Sequence, residues 1–297
     1  MANELDGRAA IVTGAGRGIG RAIALALADL GAAVVVNDIG KGEDGQPSAE
    51  AVVGEIEAAG GRAVASVDSV SDYDAAARIV HAAVDAFGSA DILINNAGVA
   101  SSGSIVEADE AEFARVVPSH IAGTFNCTHH AVGPMIERGW GRVVSLVSRT
   151  GITGIPGSIA YAMGKGGVFG LTNGASRELA GHGITVNAVC PASTRTQMVT
   201  GAIDRLRERG GEAGKRADNL LAQMQTPEEV ARPIAALCTD AAGAISGETF
   251  LIEHDRIGLF QPLTITQSVE CQPEWGATEL AEALAALELH PLSDAYG

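Results

Sequence analysis

One stretch constrains this chain more than any other. Residues 8–12 (Arg8-Ala9-Ala10-Ile11-Val12) form a short apolar run, Thr13-Gly14-Ala15-Gly16-Arg17-Gly18-Ile19-Gly20 follows at once, and Arg21 to Ala28 is a strong helix former. A buried strand that turns on glycines into a helix leaves unpaired backbone N–H groups at the helix N-terminus. With the helix dipole they make an anion site suited to a pyrophosphate. The glycines allow a sharp turn and let the backbone approach a ligand with no Cβ in the way. An ordinary strand-to-helix turn can look the same, so context decides.

The next strand supplies that context. Ala32-Ala33-Val34-Val35-Val36-Asn37 is apolar and β-branched, and it ends in Asp38, 18 residues after Gly20. A dinucleotide fold places a carboxylate there to bind the adenosine ribose hydroxyls. A carboxylate repels a 2′-phosphate, which favours NAD over NADP. Arg17, beside the glycines, is the counter-signal, since a basic side chain could hold that phosphate.

Strand and helix patterns then alternate, which predicts an α/β fold: a doubly wound, Rossmann-like parallel sheet in three α/β/α layers. Further strands are expected at 63–67, 91–95, 142–147, 184–189, 248–252 and 257–260. Helices are expected at 48–59 with Ser48 as cap, 72–87 closed by Gly88, 109–138 with kinks at Pro118 and Gly133-Pro134, and 158–180. Thr226-Pro227-Glu228-Glu229 is a helix start with a cap residue, proline at the first position and an acidic first turn. The polar segment 191–225 reads as a substrate flap, because such segments lie at the C-terminal strand ends where ligands bind. The expected organisation is one catalytic domain over 1–260 and an extension over 261–297 with a short helix at 277–287.

Composition narrows the class. A net charge of −16 argues against nucleic-acid or anionic-membrane partners. No apolar stretch is long enough to predict a transmembrane helix: residues 22–36 are broken by Asp29 and Gly31. The N-terminus does not read as a signal peptide. Cys127, Cys190, Cys238 and Cys271 are widely spaced, which suggests buried thiols of a reducing cytoplasm rather than disulfides. His129-His130 lacks partner ligands, so no metal site is expected.

Three polar residues carry the chemistry. Ser148 falls at the end of the fifth strand, and Tyr161 and Lys165 share one face of the next helix at i and i+4. A tyrosine with an ordinary pKa of about 10 is a poor acid/base at neutral pH. A neighbouring ammonium and a cationic nicotinamide both stabilise its phenolate. A serine hydroxyl can hold the substrate oxygen beside it. A small-molecule substrate is implied.

The chain resembles the short-chain dehydrogenase/reductases over about Leu5 to Ile252. The resemblance rests on Thr13-Gly14-x-x-x-Gly18-x-Gly20, Asn95-Asn96-Ala97-Gly98, Ser148, Tyr161-x-x-x-Lys165 and Val186-Asn187-Ala188-Val189-Cys190-Pro191. It implies nicotinamide hydride transfer and a homodimer or homotetramer built on the long helices. Tyr161 becomes the general acid/base and Ser148 the polariser of the substrate oxygen. Lys165 would bind the nicotinamide ribose and lower the tyrosine pKa. The implied dinucleotide set is Gly14, Arg17, Gly18, Ile19, Gly20, Asp38, Asn95 on the adenosine side, Ala97, Gly98, Tyr161, Lys165, Pro191 and Thr196. Two positions depart from the family pattern. His120 stands where an asparagine is usual, and Pro191-Ala192 replaces Pro-Gly.

Val36-Asn37-Asp38, Asp68-Ser69-Val70 and the Val-His-x-x-Gly-like run at His120 are similar to the dehydrogenase part of peroxisomal multifunctional enzymes acting on 3-hydroxyacyl-CoA. There Ser69 and Val70 would frame the adenine, and His120 could pass protons from Lys165 through water or be a structural histidine. The implied activity is NAD-dependent oxidation of a secondary alcohol. A 3-hydroxyacyl-CoA stands first as substrate, and a hydroxysteroid or cyclic terpene alcohol is the alternative. A dinucleotide-binding regulator without turnover is the rival of another class. Arg195, Arg205, Arg207, Arg209, Lys215 and Arg216 in the flap either steer an anionic substrate or pair with Asp204, Glu208 and Glu212. Arg149, beside Ser148, either meets a substrate anion or is simply solvated.

Overall fold

Five of the strands are short, built mainly on alanine, valine, isoleucine and leucine, with every residue buried or nearly so, as strands covered on both faces must be. In the computed structural model they are β1 (Ala9–Thr13), β2 (Ala33–Asn37), β4 (Ile92–Asn95), β5 (Gly141–Leu146) and β6 (Ile184–Pro191). With β3 (Arg62–Ser66), β7 (Thr249–Glu253) and β8 (Arg256–Leu259) they form one sheet of order β3-β2-β1-β4-β5-β6-β7-β8. All pairings are parallel except β7 with β8. The structure describes residues 3–288 apart from 43, 198, 200–202, 204–206, 208–209, 262 and 274, and it omits the side chains of 213, 214 and 216.

Alternate strand residues face opposite layers. Val12, Val34, Val36 and Ile94 pack on α1 (Gly18–Asp29), α2 (Ser48–Ala58) and the later helix at 227–237. Ile11, Val35, Leu93, Val143 and Val186 pack on α3 (Tyr73–Phe87) and on the helices that precede and follow β5. The order reverses between β1 and β4, which opens a crevice beyond their C-terminal ends.

Sequence signals explain most helix ends. The Asp72 side chain accepts from the Ala75 amide, and Gly88 closes α3 at φ 84°. Ser48 is a correction: it is the first helical residue, Pro47 takes the cap position, and the Ser48 hydroxyl donates instead to the Gly40 carbonyl oxygen. The expected helix over 109–138 is broken. α4 (Glu110–Val117) and α5 (Gly123–Arg138) are joined by a π-helical turn, Pro118–Ala122, and α5 runs on through Pro134. α6 (Ile159–Leu179) follows β5, and α7 (Gly211–Ala222) lies in the flap. α8 (Pro227–Leu237) begins with a full capping box between Thr226 and Glu229. Residues 1–259 form one compact unit and 260–297 another. In the second, α9 (Ala277–Ala285) is the regular element, and Gln267 bonds the backbone of Glu288 in both directions. Among the described residues no helix is long and apolar enough to cross a membrane.

Candidate active site

The glycine turn is held from behind by the strand beside it. The Thr13 hydroxyl donates to the Ile94 carbonyl oxygen and accepts from the Asn96 and Ala97 amides. The Asn96 side chain donates to the carbonyl oxygens of Thr13 at 2.8 Å and Gly14 at 2.9 Å. A methyl group at Gly14 would stand 2.9 Å from the Ala97 Cα, and Gly18 sits at φ 55° against Thr196. α1 starts without a side-chain cap and without an acidic residue in its first turn, so its leading N–H groups remain for an anion.

Asp38 is the second anchor. Its carboxylate accepts from the Gly16 amide at 2.9 Å and the Gly40 amide at 2.7 Å, which fixes its orientation and leaves lone pairs for hydroxyl donors. The Asn37 side chain donates to the Asp68 carbonyl oxygen and ties β2 to the segment bearing Ser69 and Val70. Gly14, Arg17, Asp38, Ser69, Val70 and Ala97 all line one cavity of about 480 Å³, together with Gly18 and Gly20. Arg17 reaches across the mouth to Gln197 at 3.0 Å. The backbone donors, the glycine approach and the oriented carboxylate fit a dinucleotide.

A second cavity of about 650 Å³ shares the walls Ile19, Asn96, Gly98 and Thr196 with the first. Ser148, Tyr161, Lys165, His120 and Pro191 line it. Ser148 lies two residues beyond β5, where the chain enters a π-helical turn, Thr150–Gly154. Lys165 is 5% exposed and donates from Nζ to the Leu146 carbonyl oxygen at 2.6 Å; its Nζ lies 5.9 Å from the Tyr161 ring centroid. Burial lowers the Lys165 pKa to about 8. Burial raises the Tyr161 pKa, and the Ser148 hydroxyl opposes that rise. The group that lowers the phenol pKa here is Ser148, not Lys165 as the sequence suggested, and burial outweighs it.

His120 sits in the π-helical turn and is 1% exposed. Nε2 lies 3.2 Å from the Val99 amide nitrogen and 3.0 Å from its carbonyl oxygen, while Nδ1 has no protein partner. The ring stands edge-on to Tyr161 at 5.3 Å and fills the space a Cβ on Gly98 would need. Desolvation, then the charge of Lys165, lowers its pKa to about 4, so it is neutral at pH 7. As pH falls from the ordinary 6.5 toward 4, the unfolded chain gains a proton that the folded chain refuses, and stability falls. We expect His120→Asn to lose about 2 kcal/mol less than the parent between pH 7 and 5. Urea midpoints at both pH values measure this; equal losses would refute the burial argument.

Asn95 departs from expectation. Its side chain donates to Thr128 Oγ1 at 3.0 Å and Ser145 Oγ at 3.3 Å, bracing β4, β5 and α5, and it lines neither cavity. Asn96 lines both. Ile155, Leu220, Met224 and His254 complete the larger cavity and carried no signal as isolated residues in sequence. Of the basic flap residues, Arg207 pairs with Asp218 at 2.6 Å, Lys215 with Glu212 at 3.3 Å, and Arg195 donates to the Leu221 carbonyl oxygen. Arg205, Arg209, Asp204, Glu208 and the Arg216 side chain lie outside the described residues. Arg149 pairs with Glu253 at 3.7 Å. His129 and His130 pack with Tyr73 and Phe125 as an aromatic group.

The profile of the short chain dehydrogenases matches residues 8–206. The 3-oxoacyl-(acyl-carrier-protein) reductase FabG of Staphylococcus aureus is 39% identical over 242 residues, 82% of this chain and 95% of that protein. Peroxisomal multifunctional enzyme type 2 of Drosophila melanogaster is 40% identical over 202 residues, 67% of this chain and 33% of that protein. The crystal structure of a short chain dehydrogenase from Mycobacterium avium superposes with a TM-score of 0.80 at 35% identity, covering 95% of this chain and 94% of the other. With glycine turn, Asp38, Ser148, Tyr161 and Lys165 gathered around one crevice, the chain belongs to the short-chain dehydrogenase family, nicotinamide-dinucleotide oxidoreductases that interconvert CH–OH and keto groups.

Proposed function

We propose that this protein is an NAD-dependent dehydrogenase that interconverts a 3-hydroxyacyl thioester and its 3-oxoacyl form. The observation that carries the reading is the convergence of Ser148, Tyr161 and Lys165 on a 650 Å³ cavity that shares walls with the dinucleotide-shaped one. The thioester is supported by the name of one relative, a 3-oxoacyl-(acyl-carrier-protein) reductase, and by the sequence resemblance around Asp38, Ser69 and His120. Acetoacetyl-CoA tests it: NADH oxidation at 340 nm supports the reading, and turnover of cyclic ketones but not the thioester contradicts it.

A bound nicotinamide supplies the hydride acceptor or donor. The protein's share is proton handling and orientation. Tyr161 Oη takes the carbinol proton in oxidation and returns it in reduction. The Ser148 hydroxyl donates to the substrate oxygen and holds it beside that phenol. Lys165, with a pKa of about 8, remains largely charged at pH 7 and stabilises the phenolate when it forms. His120 lines the same cavity, but a ring whose pKa burial lowers to about 4 is a poor acceptor for a proton from Lys165, so we assign it a structural role against Gly98 and Tyr161.

The NAD preference rests on Asp38. We expect Asp38→Ala to lower the NAD/NADP ratio of kcat/KM by at least about 10-fold, since removing one carboxylate–ribose interaction is worth about 1.5–3 kcal/mol. Parallel kinetics with the two cofactors measure it, and an unchanged ratio removes the ribose assignment. Phe113, Ile121, Phe125 and Ile136 are exposed apolar residues on α4, the turn and α5, which supports a homodimer or homotetramer built there. Cys127, Cys190 and Cys238 are buried thiols as expected, whereas Cys271, in the second unit, is exposed; four free thiols suit a reducing cytoplasm.

A further inference from the structure

The turn between β7 and β8 has two residues, His254 and Asp255, between the paired Glu253 and Arg256. His254 has φ 54° and is the sole non-glycine residue with positive φ among the described residues. A two-residue hairpin turn favours that conformation, but glycine adopts it at lower cost than a residue with a side chain. The contacts are specific. The His254 amide donates to Gln225 Oε1 at 2.8 Å, Nδ1 lies 3.3 Å from Glu229 Oε1, and Nε2 lies 3.1 Å from the Gln223 carbonyl oxygen.

Gln225 is 1% exposed, and its amide joins three parts of the chain. Nε2 donates to the carbonyl oxygens of Ala192 at 3.3 Å and Ile252 at 3.1 Å and to Thr194 Oγ1 at 3.1 Å. The start of the flap, the end of the flap and the tip of β7 therefore meet at one side chain. The flap has its own small apolar cluster, Ile203, Ala217 and Met224. Its seating against the sheet draws on these polar links. Leu220, Gln223 and Met224, at the end of α7, line the 650 Å³ cavity beside His254.

We infer that His254 is a positioning residue: its imidazole fastens the end of α7 and thereby fixes the Leu220–Met224 wall against which substrate binds. Glycine at 254 removes the ring and also relieves the backbone, so folding stability and positioning move in opposite directions. For His254→Gly we expect faster amide hydrogen exchange over 211–225, measured by mass spectrometry, with an unchanged or higher Tm. KM for acetoacetyl-CoA should rise at least 5-fold, with kcat within 2-fold and NADH affinity unchanged. Unaltered exchange over 211–225 overturns the inference, as does a kcat loss without a KM rise. Should the glycine variant fail to fold, His254→Asn carries the same comparison, because asparagine tolerates positive φ. The kinetic arm rests on the thioester reading, and the exchange arm does not. Faster exchange in a protein inert toward acetoacetyl-CoA would therefore sustain the clasp and sink the substrate.

Discussion

Tyr161→Phe is expected to lower kcat by at least about 10³-fold while leaving NADH affinity within 2-fold, because positioned proton transfer contributes about 10²–10⁴. The ring keeps its place when the oxygen is removed: Tyr161 sits on α6, half-buried, edge-on to His120 and one turn from Lys165. Phenylalanine retains that edge contact and loses the Oη alone. Removing Oη also frees the Ser148 hydroxyl, which now opposes the upward push of burial on the phenol. Stopped-flow and equilibrium titration with NADH separate chemistry from binding. A variant that turns over within 10-fold of the parent would mean the proton travels by another group, with His120 the nearest ring.

Gly20→Ala is expected to weaken dinucleotide binding by at least about 100-fold, or about 2.7 kcal/mol. Gly20 lies in the first turn of α1. A Cβ there would run into the Gly14 carbonyl oxygen and stand 2.9 Å from Ala15 Cα. Both obstacles are backbone, so neither can swing aside. The Gly14 carbonyl oxygen is also an acceptor of the Asn96 side chain, so moving it breaks the brace that sets the turn. Overpacking of this kind costs about 1–3 kcal/mol of stability as well. Isothermal titration with NADH reads the affinity, and a thermal melt reads the fold. A Kd within 3-fold of the parent would show that the glycine turn is not the pyrophosphate cradle.

The sequence carried the sheet because its five central strands are buried on both faces and read as mainly apolar runs, and because Gly88 and the Thr226–Glu229 box mark helix ends locally. Ser148, Tyr161 and Lys165 were legible because their spacing survives folding: two on one helix face and one just past a strand. What the sequence hid depends on long-range contact. Ser48 reads as a cap, but Gly40, eight residues earlier, claims its hydroxyl. Asn95 and Asn96 are adjacent and alike, yet Asn95 ends β4 with its side chain inside, while Asn96 lies just past the strand, held at the crevice by Thr13 and Gly14. The π-helical turn at Pro118–Ala122 looks like a proline kink, yet it is the feature that carries His120 into the cavity wall. The pKa of Tyr161 could not be read from a Tyr-x-x-x-Lys spacing, because burial acts on both groups at once.

The central claim is hydride transfer from a secondary carbinol carbon with Tyr161 receiving the proton. It is tested most directly with 3-hydroxybutyryl-CoA bearing deuterium on C3, incubated with NAD and the purified protein. Mass spectrometry of the product should find one deuterium in NADH, and none formed by Tyr161→Phe in the same time. NADH formed without deuterium, or labelled NADH formed equally fast by the phenylalanine variant, would contradict the account.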